Sequence, residues 1–166
     1  MGESGVKWEM MLSGEIDVVL DDKNRLTLPM QFRREINEPV VKITRGKHKC
    51  LWVLTVEKWN EKVGEAIRKE ADYFSDSDNY MIEKYISPTQ EVEIDKAGRI
   101  LLPPRLRKYA GIAKDCVVVG MIDRIAIWDA DTYNKFTDED DEANAVKFNT
   151  ASEEFSREQK RKRGEQ

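Results

Sequence analysis

Histidine is nearly missing from this chain: His48 is the only one. With a single imidazole in the chain, metal or nucleophile use is not expected, and no Ser-His or Cys-His pair or metal-ligand spacing stands out. Cysteine is almost as scarce. Cys50 and Cys116 both fall in apolar, strand-like runs, which predicts reduced, buried thiols of the cytosolic kind rather than a disulfide framework. No apolar run approaches the roughly 18 residues a membrane span needs. The first ten residues, MGESGVKWEM, hold no apolar stretch of the signal-peptide type and are expected to form an unstructured extension. There is no Gly-rich phosphate loop, and the paired acids Asp21 and Asp22 are only a weak hint of acid–base chemistry. No enzyme activity, cofactor or metal is expected. Net positive charge is lacking too: the formal charge is −4, which argues against non-specific nucleic-acid binding by the whole molecule.

What is present is a highly charged surface over an adequate core. Hydrophobic residues make up 40% and charged residues 36% of 166 positions, a length suited to one domain. The charge is unevenly placed. Residues 95–108 carry Lys96, Arg99, Arg105, Arg107 and Lys108 against Asp95 alone. An earlier stretch carries Lys23, Arg25, Arg33 and Arg34 against Asp21 and Asp22, and TRGKHK (44–49) adds a third basic turn. The acids collect elsewhere, chiefly in DEDDE (138–142). Local basic patches on an acidic protein can still form an electrostatic footprint.

The two basic stretches are copies of one another. At a constant offset of 74, Asp21 falls on Asp95, Arg25 on Arg99, Pro29 on Pro103 and Arg33 on Arg107. Gly46 then falls on Gly120, Trp59 on Tyr133 and Asn60 on Asn134. A fixed period over that length signals an internal duplication. The most telling matches are not identities. Asn24 falls on Gly98 and Asn37 on Gly111, and Gly and Asn are the residues that most readily take positive φ. Both copies therefore call for a left-handed residue in a hairpin turn, and another at the end of the helix opened by the proline.

Along the chain, alternation predicts strands through Ile16, Val18 and Leu20, then through Leu26 and Leu28, with a turn at 21–24. Pro29 opens a short helix burying Phe32 and Ile36; strands over 40–44 and 51–54 complete the first unit. Trp59, Val63, Ile67 and Ala71 recur at spacing four, predicting a helix over about 55–74. SDSD (75–78) caps a second helix that ends at Ser87-Pro88. The second unit repeats strand, turn 95–98, strand, helix closed by Gly111, and strands over 116–119 and 124–128. The expected division is an extension (1–10), a first repeat (11–60), a helical insert (61–88) with no counterpart of matching sequence after the second copy, a second repeat (89–136), whose Asp129 is a natural N-cap for DADTYNKF, and a charged tail (137–166). In that tail DEDDE is a solvated linker, a helix over 151–163 is exposed, and the end, KRKRGEQ, is disordered.

The element with chemistry in it is Asp-x-x-x-Arg at each turn. The turn itself needs the left-handed residue, and the Asp can stabilise it by an Asx-type bond. The Arg has no such structural reason. Its guanidinium can grip phosphate or read guanine bidentately, with the Asp holding it. LDDKNRLTLP and IDKAGRILLPPRLRKYAGI, followed by VVVGMIDRIAIWD, resemble the MraZ family of bacterial transcriptional regulators, within the AbrB/MazE/SpoVT group. The resemblance spans about residues 11–136. Asn24 departs from the family's usual glycine there, yet can take the same backbone conformation.

That resemblance implies a mainly β fold with helices: a pseudo-twofold barrel of interleaved, swapped hairpins, capped by helices and built from two tandem repeats. It implies a cytoplasmic, nucleoid-associated protein assembling as a homo-oligomeric ring. It implies binding to double-stranded DNA at direct repeats, in the promoter of the division and cell-wall gene cluster. The implied DNA-binding residues are Asp21, Arg25, Asp95 and Arg99, with Lys23, Asn24, Lys96 and Gly98 in the same turns. Arg33, Arg34, Arg105, Arg107 and Lys108 read instead as solvated surface or subunit contact, and Trp52, Trp59 and Trp128 as packing residues. The competing class is a MazE-like antitoxin or protein-interaction module, against which the duplicated motif and the long helical stretch both speak.

Overall fold

The computed structural model describes residues 10–164, so the expected extension falls outside the described residues except for Met10, and so do the last two positions. The chain divides into two compact units, one ending at Ala130 and one starting at Asp131. In the first unit β1 (Glu15–Val19) leads through the first turn to β2 (Arg25–Thr27) and α1 (Met30–Glu35). Then come β3 (Val40–Arg45) and β4 (Leu51–Thr55). A helical stretch follows: α2 (Val56–Trp59), a π-helical turn and α3 (Glu65–Glu70), then α4 (Asp76–Met81) and a second π-helical turn. The second copy supplies β5 (Gln90–Glu93), β6 (Arg99–Leu101), α5 (Pro104–Ala110), β7 (Asp115–Gly120) and β8 (Ile125–Asp129).

Six strands form one antiparallel sheet in the order β1-β7-β8-β4-β3-β5, and β2 pairs with β6 in a separate two-stranded ribbon. The strands of the two copies are therefore mixed: β1 of the first pairs with β7 of the second, and β5 of the second with β3 of the first. Two expectations are corrected. The sheet does not close into a barrel, because closure needs every strand to have two neighbours, and β1 and β5 each have one. Nor do β1 and β2, or β5 and β6, form ladders as simple hairpins; each Asp turn redirects the chain out of the sheet and into the ribbon. The fold is also mixed α/β rather than mainly β, with more residues in helices than in strands.

The ribbon lies over the core. Leu26 faces Ile100 directly across it, and both are fully buried. Around them the duplicated positions fall in one cluster: Leu28 and Leu102, Phe32 and Leu106, Ile36 and Ala110, Leu51 and Ile125, Val53 and Ile127. Each large apolar side chain so buried contributes about 1.5–3 kcal/mol. A half this small could not bury such a cluster alone; interleaving gives both halves one core. A second cluster forms where the helical stretch meets the sheet, with Leu54, Val63 and Tyr85 buried and Trp52, Trp59, Ile67 and Ile86 packed against them. Trp128 is buried as well, so these tryptophans are packing residues as read.

Helix ends bring further corrections. Gly111 is left-handed (φ 64°) and closes α5 as expected. Asn37 is not: α1 stops at Glu35 with Ile36 as its cap (φ −95°), and Asn37 is not among the positive-φ residues. The first long helix ends at Glu70, and Ala71 is an extended capping residue rather than a core one. As the N-cap expected at Asp129 and the stretch after it suggest, a helix follows the second copy: α6 (Ala130–Phe136) begins 74 residues after α2, with a different sequence. In the second unit α7 (Glu142–Lys162) is longer than expected and has no buried residue. Asp141 caps it, accepting from the Ala143 N–H. The basic run expected to be disordered forms its last turn, where cations complement the helix dipole. No helix among the described residues is long and apolar enough to cross a membrane.

Candidate nucleic-acid interface

Each Asp-x-x-x-Arg turn is built by its carboxylate. Asp21 Oδ1 accepts from the backbone N–H groups of Lys23 and Arg25, both at 2.9 Å, and Oδ2 accepts from Arg25 Nε at 2.7 Å. Asp95 repeats the pattern: Oδ1 accepts from Ala97 N at 3.0 Å and Arg99 N at 2.8 Å, and Oδ2 from Arg99 Nε at 2.8 Å. The backbone closes identically, with Asn24 N donating to Asp21 O and Gly98 N to Asp95 O. Both αL residues are as expected, Asn24 at φ 61° and Gly98 at φ 80°. The backbone N–H of the arginine holds each carboxyl below the usual carboxylate range; burial opposes it, and the arginine side chain adds to the lowering. Both aspartates are thus anionic acceptors at neutral pH.

Sequence reasoning placed one arginine at each turn; the fold brings the two together. In the ribbon Arg25 lies opposite Leu101, and Arg99 opposite Thr27. Arg25 and Arg99 are therefore diagonal neighbours on the same face, about 7–8 Å apart at their backbones. The alternate residues Leu26 and Ile100 point into the core, so the arginine face is the outer one, where Thr27 and Leu101 are exposed. The ribbon is locked at both ends across the copies: Leu28 N donates to Gly98 O at 2.9 Å and Leu102 N to Asn24 O at 3.2 Å. The aspartate holds each arginine at Nε. The terminal nitrogens make no hydrogen bond among the described residues. Lys23 is exposed in the first turn and Lys96 in the second.

One contact was not foreseen. Arg33, on α1 of the first copy, lies on the turn of the second copy, with Nη2 donating to Lys96 O at 3.3 Å. Its distance from that turn along the chain hid the contact; a mixed-strand topology would have predicted it. The cysteines are as expected: free and buried, with thiols pushed up to about 12 by desolvation, too weakly acidic to act as nucleophiles. Among the described residues no cluster of His, Cys, Asp or Glu could hold a metal.

These turns, with their offset of 74, are matched by a family model described as "MraZ protein, putative antitoxin-like", which covers residues 11–79 and 85–162. The chain belongs to the MraZ family. It carries two tandem MraZ domains, one per copy, and the family is regulator-like and antitoxin-like rather than a family of enzymes. The second match extends beyond the resemblance read from the motifs, through the acidic run and all of α7. The tail is thus part of the MraZ pattern, a relation its low-complexity composition concealed.

Proposed function

We propose that this MraZ protein is a sequence-specific DNA-binding transcriptional regulator that acts as a homo-oligomeric ring on direct repeats in a promoter, that of the division and cell-wall gene cluster. The observation that carries the reading is the pair Arg25 and Arg99, side by side on one outer face, each aligned by an aspartate at Nε. In this reading Arg25 and Arg99 present their terminal nitrogens to guanine edges or phosphates. Asp21 and Asp95 hold them in place, Lys23 and Lys96 bind phosphate, and Asn24 and Gly98 supply the backbone conformation. The acidic charge of the whole chain then limits non-specific binding and leaves recognition to the turns.

One such face is a small footprint, so affinity is expected to come from repetition. Linked contacts raise effective concentration, and each engaged face releases further counterions. Titration of duplexes with one, two and three promoter repeats at two salt concentrations tests this. Affinity and salt slope should both rise with repeat number, and a monomer that binds all three alike would overturn the ring. The family description supports a second reading, an antitoxin-like interaction module; co-purification with a small toxin, together with loss of DNA binding in the joint complex, would favour it.

A further inference from the structure

Under the 74-residue offset Arg33 and Arg107 are equivalent, but their surroundings differ. Arg33 reaches the second turn and bonds to it at Lys96 O. Its guanidinium packs directly over Gly98: a Cβ at that position would lie 2.6 Å from Arg33 Nη1 and 2.9 Å from Cζ, so the end of the arginine would have to shift. The first turn has Asn24 at the matching place, and therefore has that Cβ. Arg107 makes no hydrogen bond to the first turn among the described residues, and its Nε is buried with no hydrogen-bond partner. The second turn thus gathers three cations, Lys96, Arg99 and Arg33, where the first has Lys23 and Arg25.

We propose that Arg33 is a further phosphate-binding residue, seated over Gly98 at the second turn, and that it makes the two turns unequal partners for nucleic acid. A twofold-symmetric pair of turns would grip the duplex backbone equally. With the extra guanidinium on one side, the duplex backbone is gripped more strongly at the second turn than at the first. The proposal rests on the DNA-binding reading above and adds to it a residue from outside both motifs. Arg33 has an advantage over a free surface arginine: one of its nitrogens is already tethered to the turn, so less side-chain freedom is lost when the others meet phosphate.

The test uses the full chain and a duplex of the region upstream of its own gene, with an unrelated duplex of equal length as reference. Arg33→Ala should weaken binding on the order of threefold to tenfold and lower the salt slope by about 1, with the melting temperature unchanged. Arg33→Lys should retain most of the affinity, which a purely structural role would not allow. Arg107→Ala should have little effect on either quantity. Gly98→Asn, which copies the first turn, should shift the end of Arg33 and weaken binding in the same direction as Arg33→Ala. If Arg33→Ala binds like the parent, or if Arg33→Ala and Arg107→Ala lose equally, the proposal is overturned while DNA binding stands. If the parent prefers neither duplex and binds neither, the functional reading fails and this proposal with it.

Discussion

The two copies of the motif are nearly the same at their turns and different at their helix ends. Asp21 and Asp95 make the same three side-chain bonds, to within about a tenth of an ångström. A few residues later the likeness lapses: α5 ends on a left-handed glycine, while α1 ends without one. The turns are constrained twice, by their own Asp and by the other copy's leucine N–H bonding to the αL carbonyl. The helix ends are constrained only locally, so each copy found its own solution. Likeness between the copies follows contact across the pseudo-dyad rather than position in the repeat.

The largest expected effect lies on the dyad itself. Leu26→Ala and Ile100→Ala should each cost about 2–5 kcal/mol of stability, equally, and each should weaken both arginines together because they share the ribbon. Denaturant unfolding of the two variants measures this, and clearly unequal losses would break the symmetry claimed for the ribbon. Next come the arginines. Arg25→Ala and Arg99→Ala should leave unfolding midpoints unchanged and cost about 1–3 kcal/mol of operator affinity each; folded variants that bind like the parent would remove them as readers.

The turn backbone comes third. Asn24→Val should destabilise by about 1–3 kcal/mol, since a β-branched residue resists positive φ, whereas Asn24→Gly should be neutral or slightly stabilising. Equal melting temperatures for the two would contradict the left-handed geometry. The smallest effect sharpens the contrast between helix ends. Gly111→Ala should cost about 1 kcal/mol because its φ is positive, and Asn37→Ala should stay within about 0.5 kcal/mol. Matching losses at the two sites would mean that α1 is capped as α5 is.

Much of this was legible in the linear sequence because it depends on local chemistry. Asp at the start of a turn, a residue tolerant of positive φ three places on, proline opening a helix and alternating apolar residues each act within a few residues. Asp21, Asn24, Asp95, Gly98 and Gly111 were therefore identifiable with their backbone roles, and the buried positions with their faces. The Asn37 expectation failed for a physical reason: asparagine tolerates the left-handed region without requiring it, and nothing from the other copy holds it there.

What only the tertiary structure decided is which strand meets which. Local pattern marks β1 and β2 as strands around a turn, but their partners β7 and β6 lie about 75 to 100 residues away. Pairing at that distance is chosen by how apolar faces share one core, and no window of neighbouring residues carries that information. The same choice left the sheet open at β1 and β5, brought Arg25 and Arg99 from separate turns onto one face, and set Arg33 against the turn of the other copy. The sequence determined the chemistry of each turn; the interleaving of the two halves determined that the turns share one face.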